Sequence, residues 1–216
     1  MNIDPNKKRW QVSDILVSLF ILIVIYVLSA IVTSPFFKPS MLFQDIFDKI
    51  FMLAPIYYLN NKYPLKIFSK FNKKDRKYFL IGITLCIIMN IFSFISTRST
   101  RNIPEQYSLF MGYNIYEKGL FLFFYLIAGP LLEEIFFRGF MYRILRNRYN
   151  VFWGALGSTI IFSLFHGLKM EIIGIGIFGL IYVYVYHKTE SIPLTALTHS
   201  VDNALCFVFI GYGLRG

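Results

Sequence analysis

Seven apolar runs constrain this chain more than any other feature. They lie at about 15–32, 41–59, 78–95, 119 to the cluster Arg143, Arg146 and Arg148, 151–166, 172–186 and 192–211. A run of some 20 residues is the length of a helix crossing about 30 Å of hydrocarbon, where every backbone polar group must find its partner inside the protein. The expected fold is therefore all-α, a polytopic transmembrane helix bundle of about seven spans (six to eight).

Composition places the chain in the same class. Of 216 residues 56% are hydrophobic, 19% aromatic and 16% charged, and the mean hydropathy of +0.56 lies outside the range of ordinary soluble domains. A single membrane domain is expected over 1–216, with N-terminal spans and a basic loop in 1–118 and the catalytic core in 119–213.

The net charge of +10 does not point to nucleic acid, because the Lys and Arg residues sit between apolar runs and form no stripe on a soluble face. Loop bias explains them. With the N-terminus inside, cytoplasmic segments hold fourteen basic residues and outer segments six, which sets the expected orientation. Cys86 and Cys206 lie in apolar segments without a CxxC partner, so buried thiols are expected and a disulfide framework is not.

Several stretches need a reading of their own. Lys7, Lys8 and Arg9 precede an apolar run longer than the hydrophobic region of a signal peptide, so a retained first helix is expected. Asp45, Asp48 and Lys49 interrupt the second run; they read as a face that turns inward or lies near an interface, ahead of a substrate path. Asn61–Lys77, with seven basic residues interrupted by Ile67, Phe68 and Phe71, fits an amphipathic segment on an anionic leaflet. The mixed stretch Thr97–Lys118 carries Tyr107, Phe110, Tyr113 and Tyr116 and reads as an aromatic interfacial loop or partial lid. Pro130 should bend the fourth span one turn before its carboxylates, and Pro193 fits a first helical turn. Gly174, Gly176 and Gly179 spell GxGxxG, but inside an apolar run with no ribose-binding acid downstream; with Gly154 and Gly157 they read as helix-packing faces.

Chemistry concentrates in few residues. Leu132–Gly139 holds Glu133, Glu134 and Arg138 inside an apolar helix, and ionisable groups at membrane depth are costly enough to mark function. Phe162 and His166 end the fifth run; His199, Asp202 and Asn203 interrupt the seventh. Residues four apart share a helix face, so Glu134 can reach Arg138, and His199 points with Asn203. Glu133 is rotated by about 100° from its neighbour, so the two carboxylates can hold different jobs. At about 1.5 Å per residue, Glu133, His166, His199 and Asn203 lie roughly 16, 22, 12 and 18 Å from the inner ends of their helices and can share one cavity. A shielded carboxylate beside an imidazole can deprotonate a water, and a second imidazole with a carboxamide can donate to an oxyanion. Taken singly, each has a structural reading: Glu134–Arg138 as an ion pair, Phe162 as packing, Asp202 as a contact or an orienting group for a histidine, each histidine as a helix–helix contact.

Glu133-Glu134-x-x-x-Arg138, Phe162-x-x-x-His166 and His199-x-x-x-Asn203, in this order on separate spans, resemble the three motifs of the CPBP family, the CAAX proteases and bacteriocin-processing enzymes also called Abi intramembrane proteases. The resemblance covers about 129–203; earlier residues match only as apolar spans. It implies a glutamate-type endopeptidase in which Glu133 and His166 activate water, His199 and Asn203 form the oxyanion site, and Glu134 and Arg138 support the architecture. It implies no cofactor, and a membrane-associated peptide or protein as substrate in CaaX-type, pheromone or bacteriocin processing or immunity, at the plasma membrane of a bacterium. Other readings stand beside it: a zinc peptidase with Glu133, His166 and His199 as ligands, a non-catalytic immunity or scaffold protein, and a proton-coupled transporter.

Overall fold

The structure, a computed structural model, describes residues 11–33, 41–67, 72–97, 105–166 and 172–213; the basic cluster at 7–9 falls outside that set. Among the described residues every regular element is helical, and the chain is the expected all-α bundle. The first run is α1 (Val12–Thr33). The second is two helices, α2 (Met41–Phe51) and α3 (Leu53–Lys62), separated at Met52. Pro55 has no N–H to offer the carbonyl four residues back, so the ladder is interrupted there. The third run is α4 (Asp75–Thr97).

Residues 63–67 between α3 and α4 are not helical, and residues 68–71 of the expected amphipathic segment lie outside the described set. One stretch differs from expectation. Thr97–Lys118 is not simply a loop, because Glu105–Gly112 forms α5 and the next helix already begins at Ile115. Its aromatic residues pack inward: Phe110 lies 5.4 Å from Phe121 and 4.9 Å from Phe207, and Tyr107 5.2 Å from Phe207. Only Tyr116, 86% exposed, behaves as the interfacial aromatic the sequence suggested.

From Ile115 the chain stays helical to Arg148, 34 residues without a loop. It divides into α6 (Ile115–Phe123), a first π-helical segment (Phe124–Ala128), α7 (Gly129–Glu134), a second π-helical segment (Ile135–Tyr142) and α8 (Arg143–Arg148). Asn114 and Glu117 close its start as a reciprocal capping box. The first π turn is where Pro130 is accommodated: Gly129 N–H reaches back five residues to Phe124 C=O. Every residue of the second π segment is buried, so this helix forms the axis of the bundle.

Around it lie α9 (Val151–Phe165), α10 (Ile172–Thr189) and α11 (Ile192–Gly213). α11 packs on α4 and α7, and α10 on α9 and α4. Glycines set several of these approaches. A Cβ at Gly154 would stand 2.9 Å from the Arg146 backbone nitrogen, and one at Gly176 3.3 Å from Ser163 Oγ, whereas at Gly174 nothing comes within 4 Å. Among the described residues, then, nothing packs on Gly174. Cys86 is buried as expected, but Cys206 is exposed on the bundle surface.

Four helices, Asp75–Ser96, Ile115–Arg148, Ile172–Thr189 and Ile192–Phe209, are long and apolar enough to cross a membrane; Val12–Leu28 and Val151–Phe165 are shorter apolar helices. With α2–α3, about seven spans result. Their ends meet consistently. Asp14 at the start of α1 is bonded by Tyr58, Lys62 and Tyr63 at the end of α3. Tyr142 Oη meets His187 Nδ1 at 2.7 Å, and Arg146 meets Glu190 at 3.2 Å, where the long helix and α10 both end.

Candidate active site

Glu133 and Glu134 both lie at the end of α7, buried. Because they are adjacent on a helix they face different ways, and the structure gives them separate surroundings. Glu134 belongs to a closed network. Its Oε1 accepts from Arg138 Nη1 at 3.1 Å, one turn on, and from His199 Nδ1 at 3.0 Å. Arg138 is wholly buried and also donates through Nη2 to Gly179 C=O at 3.0 Å. Its guanidinium lies 4.4 Å from the Phe162 ring centre and 5.2 Å from that of Tyr182. A Cβ at Gly179 would sit 3.1 Å from Thr159 Cγ2 and 3.2 Å from Phe162 Cδ1, so the glycine lets α10 approach α9 closely beside the guanidinium.

Glu133 faces the histidines. Its Oε2 is 3.8 Å from His166 Nε2 and 3.9 Å from His199 Nε2, and no protein group hydrogen-bonds this oxygen among the described residues. His166 caps the end of α9, its Nδ1 2.9 Å from Phe162 C=O. A carbonyl only accepts, so Nδ1 of His166 carries the proton; Nδ1 of His199 likewise donates to the Glu134 carboxylate. Both rings turn Nε2 toward Glu133. The Phe162 and His166 ring centres are 4.5 Å apart, which makes Phe162 the packing wall it was read as.

Asn203, one turn beyond His199, is placed differently from the other three. Its Nδ2 donates to Tyr125 C=O at 2.9 Å. In the π register that carbonyl would be served by residue 130, which is Pro130 and has no N–H. Asn203 thus satisfies the carbonyl that the proline orphans.

Two participants were not legible from the motifs. Tyr182 of α10 stacks on His199, ring centres 4.4 Å apart and planes 20° apart, and its hydroxyl donates to Asp202, which also accepts from Asn90. Asp202 therefore acts on His199 through Tyr182 and bonds no histidine directly. The second is Lys49, whose Nζ pairs with Glu133 Oε1. Its signal was present in α2, where Leu42, Ile46 and Lys49 recur at helical spacing with Leu42 and Ile46 buried, but the partner was not. The Asp45 side chain lies outside the described set.

Among the described residues no group of three or more His, Cys, Asp or Glu is arranged to hold a metal ion.

Fold and site together define a polytopic helical membrane protein with one carboxylate and two imidazoles gathered between spans. Residues 116–205 match the family described as Type II CAAX prenyl endopeptidase Rce1-like, a span that contains all three motifs. Among curated proteins, the "Putative membrane peptidase YdiL" of Bacillus subtilis (strain 168) is 28% identical over 82 residues, 38% of this chain and 34% of that protein. UPF0177 protein YaiF of Lactococcus lactis subsp. lactis (strain IL1403) is 30% identical over 135 residues, 60% of this chain and 61% of that one. The chain thus spans about a third and three fifths of these relatives. No solved structure matches it. At the level of the family, the similarity is to membrane proteases.

Proposed function

We propose that the chain is an intramembrane endopeptidase that hydrolyses a membrane-associated peptide or protein through water activated by Glu133 and His166. The observation that carries this reading is the convergence on Glu133 Oε2 of His166 Nε2 at 3.8 Å and His199 Nε2 at 3.9 Å. Groups at that spacing are too far apart for direct bonds and are readily bridged by one water.

In the proposed reaction the water attacks the scissile carbonyl carbon and gives a proton to the Glu133–His166 pair. His199 meets the resulting oxyanion. With Nδ1–H committed to Glu134, it donates to the oxyanion through Nε2 when that nitrogen carries a proton. The second Nδ2 hydrogen of Asn203 is the other donor. The proton held by the pair passes to the amine nitrogen as the C–N bond breaks, leaving a carboxylate and an amine. Oxyanion donors of this kind contribute about 3–4 kcal/mol each.

The site takes no cofactor in this account. The zinc alternative is separated by cleavage under strong chelation, which the proposed mechanism survives. A role in CaaX-type processing, pheromone or bacteriocin processing, or immunity, in a bacterial plasma membrane with the N-terminus cytoplasmic, belongs to the same proposal. The experiment that tests it is mass spectrometry of cell peptides in strains carrying the wild-type chain or Glu133→Gln at equal protein levels. Peptides that accumulate uncleaved only in the variant support proteolysis. An unchanged peptide profile, with the cellular phenotype retained, favours a non-catalytic partner.

A further inference from the structure

Lys49 lies outside both the three motifs and the matched span 116–205. α2 exposes Phe43, Phe47 and Ile50 together with the polar Gln44 and Asp48, whereas Lys49 is half-buried and lies on the side of the buried Leu42 and Ile46. A cation on the inward face of a membrane helix is costly unless an anion receives it. Glu133 is that anion, and it offers Oε1, the oxygen that does not face the imidazoles.

The route of the side chain is also specific. A Cβ at Gly129 would stand 3.3 Å from Lys49 Cε and 3.6 Å from Cδ, so the lysine stem crosses α7 over a residue without a side chain. The same glycine closes the π turn ahead of Pro130 by bonding Phe124 C=O. The helix geometry that delivers Glu133 therefore also opens the notch through which the ammonium reaches it. The Lys49 side chain stays 30% exposed, against 5% for Glu133, so the ion pair stands at the open side of the buried carboxylate.

We propose that Lys49 is a positioning residue of this site: its ammonium holds Glu133 Oε1 and thereby aims Oε2 at the water shared with His166 and His199. The inference rests on the proteolytic reading above. It extends the site to α2, which otherwise contributes no motif. Lys49 acts through Glu133, so its loss should slow turnover and leave peptide affinity in place.

Two measurements on the full-length protein in membranes test it. The first needs no substrate. A membrane-permeant carbodiimide converts a carboxylate to an O-acylurea, and an amine in contact displaces the urea to form an amide. The wild-type chain should yield a Lys49–Glu133 amide, identified as a linked peptide pair, and Lys49→Met and Glu133→Gln should not. Absence of that pair from the wild-type chain, with Glu133 recovered as its acylurea, overturns the proposal.

The second uses as probe a synthetic copy of a peptide that accumulates in the Glu133→Gln strain. Lys49→Met should lower kcat at least tenfold, within the roughly 10²–10⁴-fold a general base contributes. KM should stay within about twofold, and Lys49→Arg should regain most of the rate. A Lys49→Met protein with wild-type kcat, or one in which Arg and Met are equally impaired, overturns the proposal. If Lys49→Met does not accumulate, Lys49→Gln is read in its place. Failure of the wild-type protein to cleave any accumulated peptide would instead sink the proteolytic reading, and the cross-link would still report the pairing.

Discussion

Two adjacent glutamates in one apolar helix end up with opposite duties. Glu134 is locked between Arg138 and His199, whereas Glu133 keeps one oxygen turned to two imidazoles. Their substitutions should differ accordingly. Glu133→Gln should lower cleavage by about 10²–10⁴-fold and cost less thermal stability in detergent than Glu134→Gln, because the Lys49 it leaves unpaired is 30% exposed whereas Arg138 is fully buried. Glu134→Gln should cost stability, because it strands a fully buried guanidinium; breaking such a pair costs about 3–5 kcal/mol. A Glu134→Gln protein as stable as wild type would show that Arg138 is held chiefly by Gly179 and the rings of Phe162 and Tyr182. The sequence supports this division because the helical twist separates neighbours by about 100°. It does not give the partners of Lys49 and Tyr182, which lie 84 residues away in Glu133 and on another helix in His199. Local spacing carries no information about such contacts.

At the scale of elements, Pro130 and Asn203 form one unit. The proline bends the hydrogen-bond register into a π turn, and the asparagine of α11 fills the acceptor it leaves, Tyr125 C=O. Asn203→Leu should therefore destabilise the bundle by about 1–3 kcal/mol, the cost of an unsatisfied buried carbonyl. In a Pro130→Ala background, where a backbone N–H returns, the same substitution should cost clearly less. Equal losses in both backgrounds would dissolve the pairing. Helix packing makes a second contrast. Gly154→Ala meets the Arg146 backbone and should cost about 1–3 kcal/mol, whereas Gly174→Ala meets nothing and should be neutral or mildly stabilising, as read by thermal unfolding. Sequence grouped these glycines together, because small residues at helical spacing look alike whether or not a neighbouring helix approaches. The short helix Glu105–Gly112 was likewise hidden, since the aromatic contacts of Phe110 with Phe121 and Phe207 depend on neighbours, whereas the break of the second run at Met52 has a local signal in Pro55, which lacks an N–H.

For the whole molecule, the apolar runs settled the all-α bundle because a membrane leaves the backbone one economical way to satisfy itself within each run. The proposed sidedness, with the N-terminus cytoplasmic, rests on charge. The ends joined by Asp14–Lys62 and Arg146–Glu190 gather Lys62, Arg143, Arg146, Arg148 and Lys188 at one face of the bundle, and basic loops favour the cytoplasm. In a chain lacking Cys86 and Cys206, a cysteine at Lys74 should react with an impermeant thiol reagent in inverted vesicles and not in intact cells. The reverse pattern would invert the orientation.

The central claim is that Glu133 and the two histidines activate water without a metal. Its most direct test is to incubate purified protein in lipid with a peptide accumulated by the Glu133→Gln strain, in water carrying heavy oxygen and under strong chelation. The account predicts one heavy oxygen in the newly formed carboxylate with wild-type protein and no cleavage with Glu133→Gln. Cleavage that persists in Glu133→Gln, or that disappears from the wild type on chelation and returns with zinc, would contradict it.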